Sequence, residues 1–320
     1  MTDPVRWGIL GTGGINDRFL ANARDATSAR FVAVGSRSAD RAKAFAARHD
    51  VPRAHGSYDG LLDDPDVEVV YICLPNGLHH EWTMRALDAG KHVLCEKPYS
   101  RHPADVIEAF DAAERAGLLL IEGFMWRHTP GARRFVELLP EIGELRHVRA
   151  TFSFVLDDPS DIRLRADLEG GSLMDVGCYC VSGTRLTAED EPVAVFGEQL
   201  VGPSGVDVRF TGVLRFAGGL TATFASGFES DHATLEAIGS RGSLLLRDPW
   251  TGRARSLVLD GREVAISPAD PYVLEVENLS AAVRGTGRPL LGREDALGQA
   301  RVIAALYESA ASGVPVSLEP

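Results

Sequence analysis

Apolar residues in the first 125 positions fall into short continuous runs that alternate with stretches of helical spacing. The runs predict strands at residues 6–10, 31–35, 67–74, 91–95 and 118–122. The stretches between them predict four helices. The first extends through residue 23, the second ends at about residue 48, and the other two cover residues 82–89 and 103–116. Short strands that alternate with helices of about a dozen residues are typical of a parallel, doubly wound α/β sheet.

A different pattern begins at about residue 126, where short alternating strands follow one another. Strands are predicted at residues 145–154, 192–200, 206–216, 220–228, 234–239, 242–246, 254–259 and 262–266, and helices at 172–186, 273–284 and 293–312. Along one predicted strand, Leu214 and Phe216 alternate with Val213 and Arg215. Such alternation is typical of an antiparallel sheet with one covered face. We therefore predict an α/β domain at residues 1–125 and an α+β domain at residues 126–320, built on a large, open-faced, mainly antiparallel sheet.

Charge and cysteine content narrow the classes of function. The 320 residues include 45 acidic and 33 basic side chains, and the net charge of −12 argues against nucleic-acid and anionic-membrane partners. No apolar run is long enough to span a bilayer, and the N-terminus lacks the apolar core of a signal peptide, so we expect a cytoplasmic protein. Cys73, Cys95, Cys178 and Cys180 form no C-x-x-C pair and have no histidine at metal-binding spacing, which predicts buried reduced thiols and no metal site.

A glycine-rich turn follows the first predicted strand. Glycines at this point permit a tight bend and let a helix N-terminus face a pyrophosphate. The residues of the turn that we expect to bind the cofactor are Gly11, Thr12, Gly13, Gly14 and Ile15. The dinucleotide fingerprint has glycine or alanine three residues beyond its second glycine, whereas this chain has Asn16, so we expect looser packing of the helix.

The end of the second strand indicates which dinucleotide binds. An acidic residue there would accept hydrogen bonds from the adenosine ribose and repel a 2′-phosphate, but the chain has Ser36, Arg37 and Ser38, with Arg41 one turn later. This favours NADP, with NAD as the alternative cofactor. The competing interpretation is that Arg37 is only a solvated loop arginine.

Two further segments lie at predicted strand ends on the same edge of the sheet. Leu74, Pro75, Asn76 and His79 follow the third major strand, where open α/β sheets bind ligands, and they either contact the nicotinamide half of the cofactor or close a turn. Lys97 follows another strand, between Glu96 and Pro98, and Glu96 and Lys97 are also expected to contact the cofactor. A lysine removed from bulk water beside a positively charged nicotinamide has its ammonium form disfavoured, so Lys97 is a candidate for proton transfer.

The segment Gly170 to Tyr179 supplies the other acid–base groups. Asp175 and Tyr179 are four residues apart and share a helix face, so both can meet one substrate. The structural alternative is that Ser172 and Asp175 form a capping-box-like helix start. Arg127, His128 and Arg163 are further candidates for polar groups of a substrate pocket.

These segments together resemble the glucose-fructose oxidoreductase, inositol dehydrogenase and MocA family. The resemblance covers nearly the full chain: residues 8–15, 74–79, 89–98 with their Glu-Lys-Pro, and 170–179. It implies an N-terminal Rossmann domain, a C-terminal open-faced sheet used in dimer contacts, and hydride transfer between a nicotinamide and a sugar, cyclitol or related alcohol. Lys97 and Asp175 fall on the family's catalytic lysine and aspartate.

Many members of this family have histidine where this chain has Tyr179. With this tyrosine, the chain resembles the branch of the family that contains NADP-dependent xylose and glucose dehydrogenases and dimeric dihydrodiol dehydrogenases. We therefore expect an NADP-dependent sugar oxidoreductase, with a dihydrodiol dehydrogenase or a nucleotide-sugar ketoreductase as alternatives and a non-catalytic NADP-binding regulator as a third class. Either Lys97 or Tyr179 is the immediate proton donor or acceptor.

The second domain is expected to form the contacts between subunits. Alternating residues such as Val213, Thr221 and Thr223 would lie on the uncovered face of its sheet, and a second copy of the same face would cover them. The sequence thus predicts a homodimer or a dimer of dimers.

Overall fold

The computed structural model describes residues 3–318, which form two units. The first contains the chain up to Ser100 together with Ala104–Met125 and Asp270–Ala296. The second contains Arg101–Pro103, Trp126–Ala269 and the chain from Leu297 onward. The division into domains at 1–125 and 126–320 stays a prediction, and the structure groups Asp270–Ala296 with the first unit.

Six parallel strands form the sheet of the first unit. They are β1 (Val5–Leu10), β2 (Ala29–Gly35), β3 (Arg53–His55), β4 (Val69–Ile72), β5 (His92–Glu96) and β6 (Leu120–Gly123). They lie in the order β3-β2-β1-β4-β5-β6, each parallel to its neighbours. The chain order reverses between β1 and β4, and at such a switch point open α/β sheets bind ligands outside the carboxyl ends of their strands. The predicted parallel sheet is confirmed.

Five helices follow or connect these strands. They are α1 (Gly14–Ala23), α2 (Ala39–His49), α3 (Tyr58–Leu62), α4 (His79–Asp88) and α5 (Pro103–Ala116). Ser38 and Ser57 cap α2 and α3, since each hydroxyl accepts a backbone N–H three residues later. These bonds satisfy N–H groups that have no partner inside the helix, which is why α2 and α3 begin where they do.

A mixed sheet forms the centre of the second unit. Its strands are β7 (Leu145–Ser153), β8 (Ala194–Val201), β9 (Asp207–Arg215), β10 (Thr221–Gly227), β11 (His232–Gly239), β12 (Ser243–Arg247), β13 (Ser256–Leu259), β14 (Arg262–Ala265) and β15 (Val316–Ser317). The order is β14-β13-β12-β11-β7-β10-β9-β8-β15, with β7 and β10 parallel and the other neighbours antiparallel. The expected large, mainly antiparallel sheet is confirmed.

The remaining helices are α6 (Pro130–Leu138), α7 (Cys178–Ala188), α8 (Pro271–Val283) and α9 (Arg293–Ser312). A π-helical turn, Leu173–Gly177, leads directly into α7, which packs against the sheet at β7. The other face of the sheet is open: along β9, Phe210 and Leu214 are buried, whereas Thr211, Val213 and Arg215 are exposed.

Helix α8 belongs to the first unit because its side chains enter that unit's core. The indole Nε1 of Trp7 donates to Ser280 Oγ at 3.1 Å, and the ring of Tyr272 packs edge-on against Phe19 with centroids 5.6 Å apart. Trp7 and Phe19 are fully buried, and burial of such side chains contributes about 1.5–3 kcal/mol each. A segment distant in sequence thus completes the α/β unit.

The hydrophobic pattern did not predict β3, α3, α6 or β15. The first two have three and five residues and β15 has two, too few for a period to be read. A start signal for α6 was present in the sequence, because Thr129 caps the helix and Pro130 follows it at the first helical position. Among the described residues, no helix combines the length and apolar character needed to cross a membrane.

Candidate active site

The turn after β1 presents backbone amides at the start of α1. Gly11 has φ +117°, and a Cβ there would lie 3.2 Å from Cys73 Sγ, so the bend and the close approach both require glycine. At Gly13 and Gly14 an added Cβ would meet open space, and within the described residues no side chain caps α1. The first amides of the helix are therefore available to an anionic ligand such as a pyrophosphate.

Asn16 is an integral part of this turn. Its side chain is fully buried and its Nδ2 donates to the carbonyl oxygen of Gly11 at 3.0 Å. The expectation of looser helix packing at this position was therefore wrong, because the amide replaces close glycine packing with a hydrogen bond across the bend.

The end of β2 carries hydroxyls and exposed arginines. Ser36 is buried, with its Oγ 3.2 Å from Thr12 Oγ1, whereas Arg37 and Arg41 are exposed. Ser38 Oγ accepts the N–H of Arg41 as the cap of α2. Two exposed guanidinium groups thus follow the strand end where an adenosine 2′-phosphate would lie in the dinucleotide-binding fold.

His79 holds the chain beside Lys97. The imidazole is fully buried, with Nδ1 2.9 Å from the carbonyl oxygen of Pro98 and Nε2 2.8 Å from that of Leu74. Burial lowers its pKa, and the hydrogen bonds to the two carbonyl oxygens oppose that effect. These contacts connect the turn after β4 with the segment after β5, and a contact of Leu74, Pro75, Asn76 and His79 with the nicotinamide half of the cofactor stays a prediction.

Lys97 lies at the carboxyl end of β5 in a segment whose backbone is bound by the partly exposed Glu96 and the buried Glu122. Its backbone N–H donates to Glu96 Oε2 at 3.3 Å, and Glu96 Oε1 accepts the hydroxyl of Tyr71 at 2.5 Å. Two residues later, the N–H of Tyr99 donates to Glu122 Oε1 at 2.8 Å. The backbone on both sides of the lysine is therefore tied to the sheet, and the half-buried Lys97 side chain starts from a defined position.

Asp175 and Tyr179 occupy one accessible side of the segment that leads into α7. Both are partly exposed, whereas the other seven residues from Ser172 to Cys180 are buried. The shared side was expected from α-helical spacing, but the structure reaches it through the π-helical turn. The ring of Tyr179 packs edge-on against Phe152 at 5.3 Å between centroids and tilted against Trp250 at 6.1 Å, so its position is set by the sheet.

Arg163 is paired with Asp175. The distance from Arg163 Nε to Asp175 Oδ2 is 2.7 Å, and the same guanidinium contacts both oxygens of Asp161 at 3.2 Å. The charge of Asp175, followed by that of Asp161, raises the pKa of Arg163. One oxygen of Asp175 is thus bound by an arginine that cannot exchange its proton, which favours a role for this carboxylate in orientation.

The other two pocket candidates differ from each other. Arg127 Nη1 donates to Ser182 Oγ on α7 at 3.4 Å, so it lies near the same helix as Tyr179. His128 is buried, and burial together with the charge of Arg127 lowers its pKa to about 4. The imidazole is therefore neutral at pH 7, and its Nε2 has no hydrogen-bond partner among the described residues.

The contacts at the start of the π-helical turn contradict the alternative that Ser172 and Asp175 form a capping box. Ser172 Oγ does not accept a helix N–H; it donates to Asp207 Oδ2 at 2.8 Å, and the N–H of Leu173 donates to the same oxygen at 2.7 Å. Asp207, on β9, was not singled out in the sequence. No local pattern joins residues 35 positions apart, and the same is true of the contact between Arg163 and Asp175 across a loop.

No metal site is suggested by the described side chains, since no three His, Cys, Asp or Glu residues gather in a suitable cluster. All four cysteines are buried free thiols. The acid–base groups named above are therefore the chemistry that the chain itself offers.

Comparison with known proteins agrees with both units. Residues 5–124 match the family model GFO_IDH_MocA, oxidoreductase family, NAD-binding Rossmann fold, and residues 140–245 match the GFO/IDH/MocA C-terminal domain. D-xylose 1-dehydrogenase (NADP(+)) 2 of Haloferax volcanii is 39% identical, over 98% of this chain and 100% of that protein. Trans-1,2-dihydrobenzene-1,2-diol dehydrogenase of Xenopus laevis is 31% identical, over 88% and 86%.

A solved structure shows the same architecture. The crystal structure of a 3-ketoreductase from Actinomadura kijaniata in complex with NADP and TDP-benzene superposes with a TM-score of 0.91 at 31% identity, over 96% of this chain and 98% of that one. The dTDP-3,4-didehydro-2,6-dideoxy-alpha-D-glucose 3-reductase of Actinomadura kijaniata is 35% identical, over 96% of this chain and 96% of that protein. The names of these similar proteins thus include a free sugar, a dihydrodiol and a nucleotide-linked sugar.

Proposed function

The chain belongs to the GFO/IDH/MocA oxidoreductase family, and we propose that it transfers a hydride between NADP and a sugar or sugar-like alcohol, most closely as an aldose 1-dehydrogenase. The observation that carries the proposal is the partly exposed pair of Asp175 and Tyr179 on an otherwise buried segment.

NADP fits the residues of the first unit. The uncapped start of α1 would receive the pyrophosphate, and the exposed Arg37 and Arg41 beside Ser36 would receive the 2′-phosphate. Asn76, at the carboxyl edge of β4, is proposed to contact the nicotinamide half. When bound, NADP supplies the acceptor or donor of the hydride.

The chain supplies the proton transfer that accompanies hydride transfer. We assign the exchange of the substrate hydroxyl proton to the phenol of Tyr179, with Lys97 as the alternative donor or acceptor. Asp175, which Arg163 holds in place, orients the substrate by accepting a hydrogen bond from a substrate hydroxyl. General acid–base help of this kind accelerates a reaction by about two to four orders of magnitude.

A neutral sugar is favoured over a nucleotide-linked one by the charge of the segment before the π-helical turn. Residues 155–170 contain five acidic and two basic side chains. Both arginines are paired with carboxylates, Arg163 with Asp161 and Asp175, and Arg165 with Asp167 at 2.5 Å. A diphosphate would meet net negative charge here, whereas sugar hydroxyls would find hydrogen-bond acceptors.

A trans-dihydrodiol is the second candidate substrate. Phe152 and Phe154 are partly exposed, and Phe152 packs against Tyr179 while Phe154 lies under Arg163, 5.7 Å from its guanidinium carbon. A flat apolar ring would lie against such side chains, with its hydroxyls directed to Tyr179 and Asp175.

The test is a substrate panel assayed with NADP+ and NAD+ through the absorbance of the reduced nicotinamide. The panel holds D-xylose, D-glucose, a cyclitol, a benzene trans-dihydrodiol and a dTDP-linked keto sugar assayed in the reductive direction. We expect the highest kcat/KM for a neutral aldose with NADP+. Turnover of the dTDP-linked sugar alone would refute the substrate class, and tight NADP binding without turnover of any compound would favour a regulator.

We also propose a homodimer, or a dimer of dimers, in the cytoplasm. The open face of the second sheet presents Phe196, Val213 and Thr223 side by side on β8, β9 and β10, and Val213 is 39% exposed. A self-complementary contact would remove this face from water. Four buried free thiols suit a reducing compartment. Sedimentation equilibrium at micromolar concentration that shows only the 34.4 kDa chain would contradict the assembly.

A further inference from the structure

Asp207 lies behind the segment that carries Asp175 and Tyr179. It begins β9 and is 3% exposed. Its Oδ2 accepts the N–H of Leu173 at 2.7 Å and the hydroxyl of Ser172 at 2.8 Å, and its Oδ1 accepts the hydroxyl of Tyr307 on α9 at 2.8 Å. Three elements far apart in sequence thus meet on one carboxyl group.

The first of these contacts does the work of a helix cap. A helix start leaves backbone N–H groups without internal partners, and a nearby Ser, Thr, Asp or Asn usually accepts one of them. Ser172 stands in the usual place but donates its hydroxyl to Asp207. The acceptor for the N–H of Leu173 therefore comes from β9, and it ties the start of the π-helical turn to the sheet.

The surroundings leave the carboxyl group little freedom. A Cβ at Gly171, where φ is +120°, would lie 2.2 Å from Asp207 Oδ1, so the glycine lets the backbone pass directly over the acid. Tyr307, the donor to Oδ1, packs edge-on against Phe210 at 5.7 Å between centroids and lies under Arg101, 5.4 Å from its guanidinium carbon. Ser226 Oγ, on β10, lies 3.2 Å from Ser172 Oγ and continues the network. The network fixes one position for the helix start.

We propose that Asp207 is a positioning residue, which acts as a long-range cap that sets the place of Asp175 and Tyr179 on the accessible side of their segment. Asp175 is two residues beyond the capped N–H of Leu173, and Tyr179 is four residues further along. A shift of the helix start therefore moves both side chains together. Displacement of catalytic groups by about 1 Å lowers turnover about a hundredfold.

The test compares three substitutions in the full-length chain. Asp207→Ala removes all three acceptor contacts. Asp207→Asn keeps them, because its carbonyl oxygen accepts from Leu173 and Ser172 while its amide donates to the Tyr307 oxygen. Tyr307→Phe is the matched control, since it removes one contact of Asp207 and leaves the cap on Leu173.

We expect Asp207→Ala to lower kcat for the sugar about a hundredfold, with the Kd for NADP unchanged because that site lies in the first unit. Asp207→Asn and Tyr307→Phe should stay within about tenfold of wild type. Amide hydrogen exchange over residues 173–180 should be at least about fivefold faster in Asp207→Ala, the factor that loss of a helix cap implies.

Two outcomes would overturn the proposal. One is wild-type kcat in Asp207→Ala, and the other is lost turnover with unchanged exchange over residues 173–180. If Asp207→Ala does not fold, Asp207→Glu is tested in its place. The longer side chain keeps the charge and displaces the helix start. Wild-type kcat in Asp207→Glu would likewise overturn the proposal.

The kinetic part of this inference rests on the proposed function, and the exchange measurement does not. Absence of sugar turnover in the wild-type chain would contradict the proposed function alone. Unchanged exchange in Asp207→Ala would contradict the cap, whatever the substrate is.

Discussion

The titration of His128 tests quantitatively whether this side chain is buried in the folded second unit. The imidazole is 8% exposed, and burial, followed by the charge of Arg127, lowers its pKa from 6.5 to about 4. In the unfolded chain the same side chain titrates near 6.5. The folded protein therefore excludes a proton that the unfolded chain takes up below pH 6.5, and stability falls as the pH is lowered from 6.5 towards 4.

The size of the effect follows from the two pKa values. At about 1.4 kcal/mol per pKa unit, the difference corresponds to about 3 kcal/mol lost between pH 6.5 and pH 4. His128→Leu removes the titrating group and keeps an apolar side chain in the buried site. The free energy of unfolding of the variant should therefore depend less on pH than that of the wild type over this range, by about the same amount.

The measurement is urea unfolding at a series of pH values, followed by tryptophan fluorescence for wild type, His128→Leu and His232→Leu. His232 is exposed on β11 and serves as the matched control, whose pH profile should parallel that of the wild type. Parallel profiles for wild type and His128→Leu would refute the argument from burial. A raised KM for the sugar in His128→Leu, with unaltered pH dependence of stability, would instead support the substrate contact that the sequence predicted.

Two further predictions concern the proposed chemistry. Arg37→Ala should weaken NADP binding by about one to two orders of magnitude, because a charge-assisted contact contributes about 1.5–3 kcal/mol. The same substitution should leave NAD binding unchanged. Equal Kd values of wild type and variant for NADP would contradict the assignment of Arg37 to the 2′-phosphate. Lys97→Met and Tyr179→Phe should each lower kcat by about two to four orders of magnitude while the Kd for NADP stays within about threefold. Phenylalanine keeps the ring packing of Tyr179 on Phe152, so wild-type kcat in Tyr179→Phe would remove the phenol from the mechanism.

The cofactor half of the candidate site was predictable from sequence because its determinants are local. The bend at Gly11 and Gly13, the hydroxyls and arginines after β2, and Lys97 at the end of β5 each follow a strand within a few residues. Parallel strands bring those ends to one edge of the sheet, so strand prediction is enough to place them. Helix α8 was predicted as a helix but not as part of this unit, since its contact between Trp7 and Ser280 spans 273 residues.

The substrate half was predictable only in its residue types. Asp175 and Tyr179 could be selected by their spacing, but the partner of Asp175 lies 12 residues earlier in a short 3-10 turn. The acceptor for the N–H of Leu173 lies 34 residues after it, on β9. The π-helical turn has no sequence signature that distinguishes it from an α-helix, because the additional residue per turn follows from tertiary contacts.

The two helix starts of the candidate site differ in what occupies their amides, and this difference bears on the ligand of each unit. At α1 the side chain that departs from the fingerprint, Asn16, binds the carbonyl of Gly11 and leaves the helix amides open to a phosphate. At the π-helical turn the chain places its own carboxylate, Asp207, on the N–H of Leu173. A helix start that is already bound to a buried acid cannot serve as an anion site. The first unit thus leaves a helix start open to a phosphate, whereas the second occupies the helix start at Leu173 with a carboxylate, which agrees with the proposal of a neutral sugar substrate.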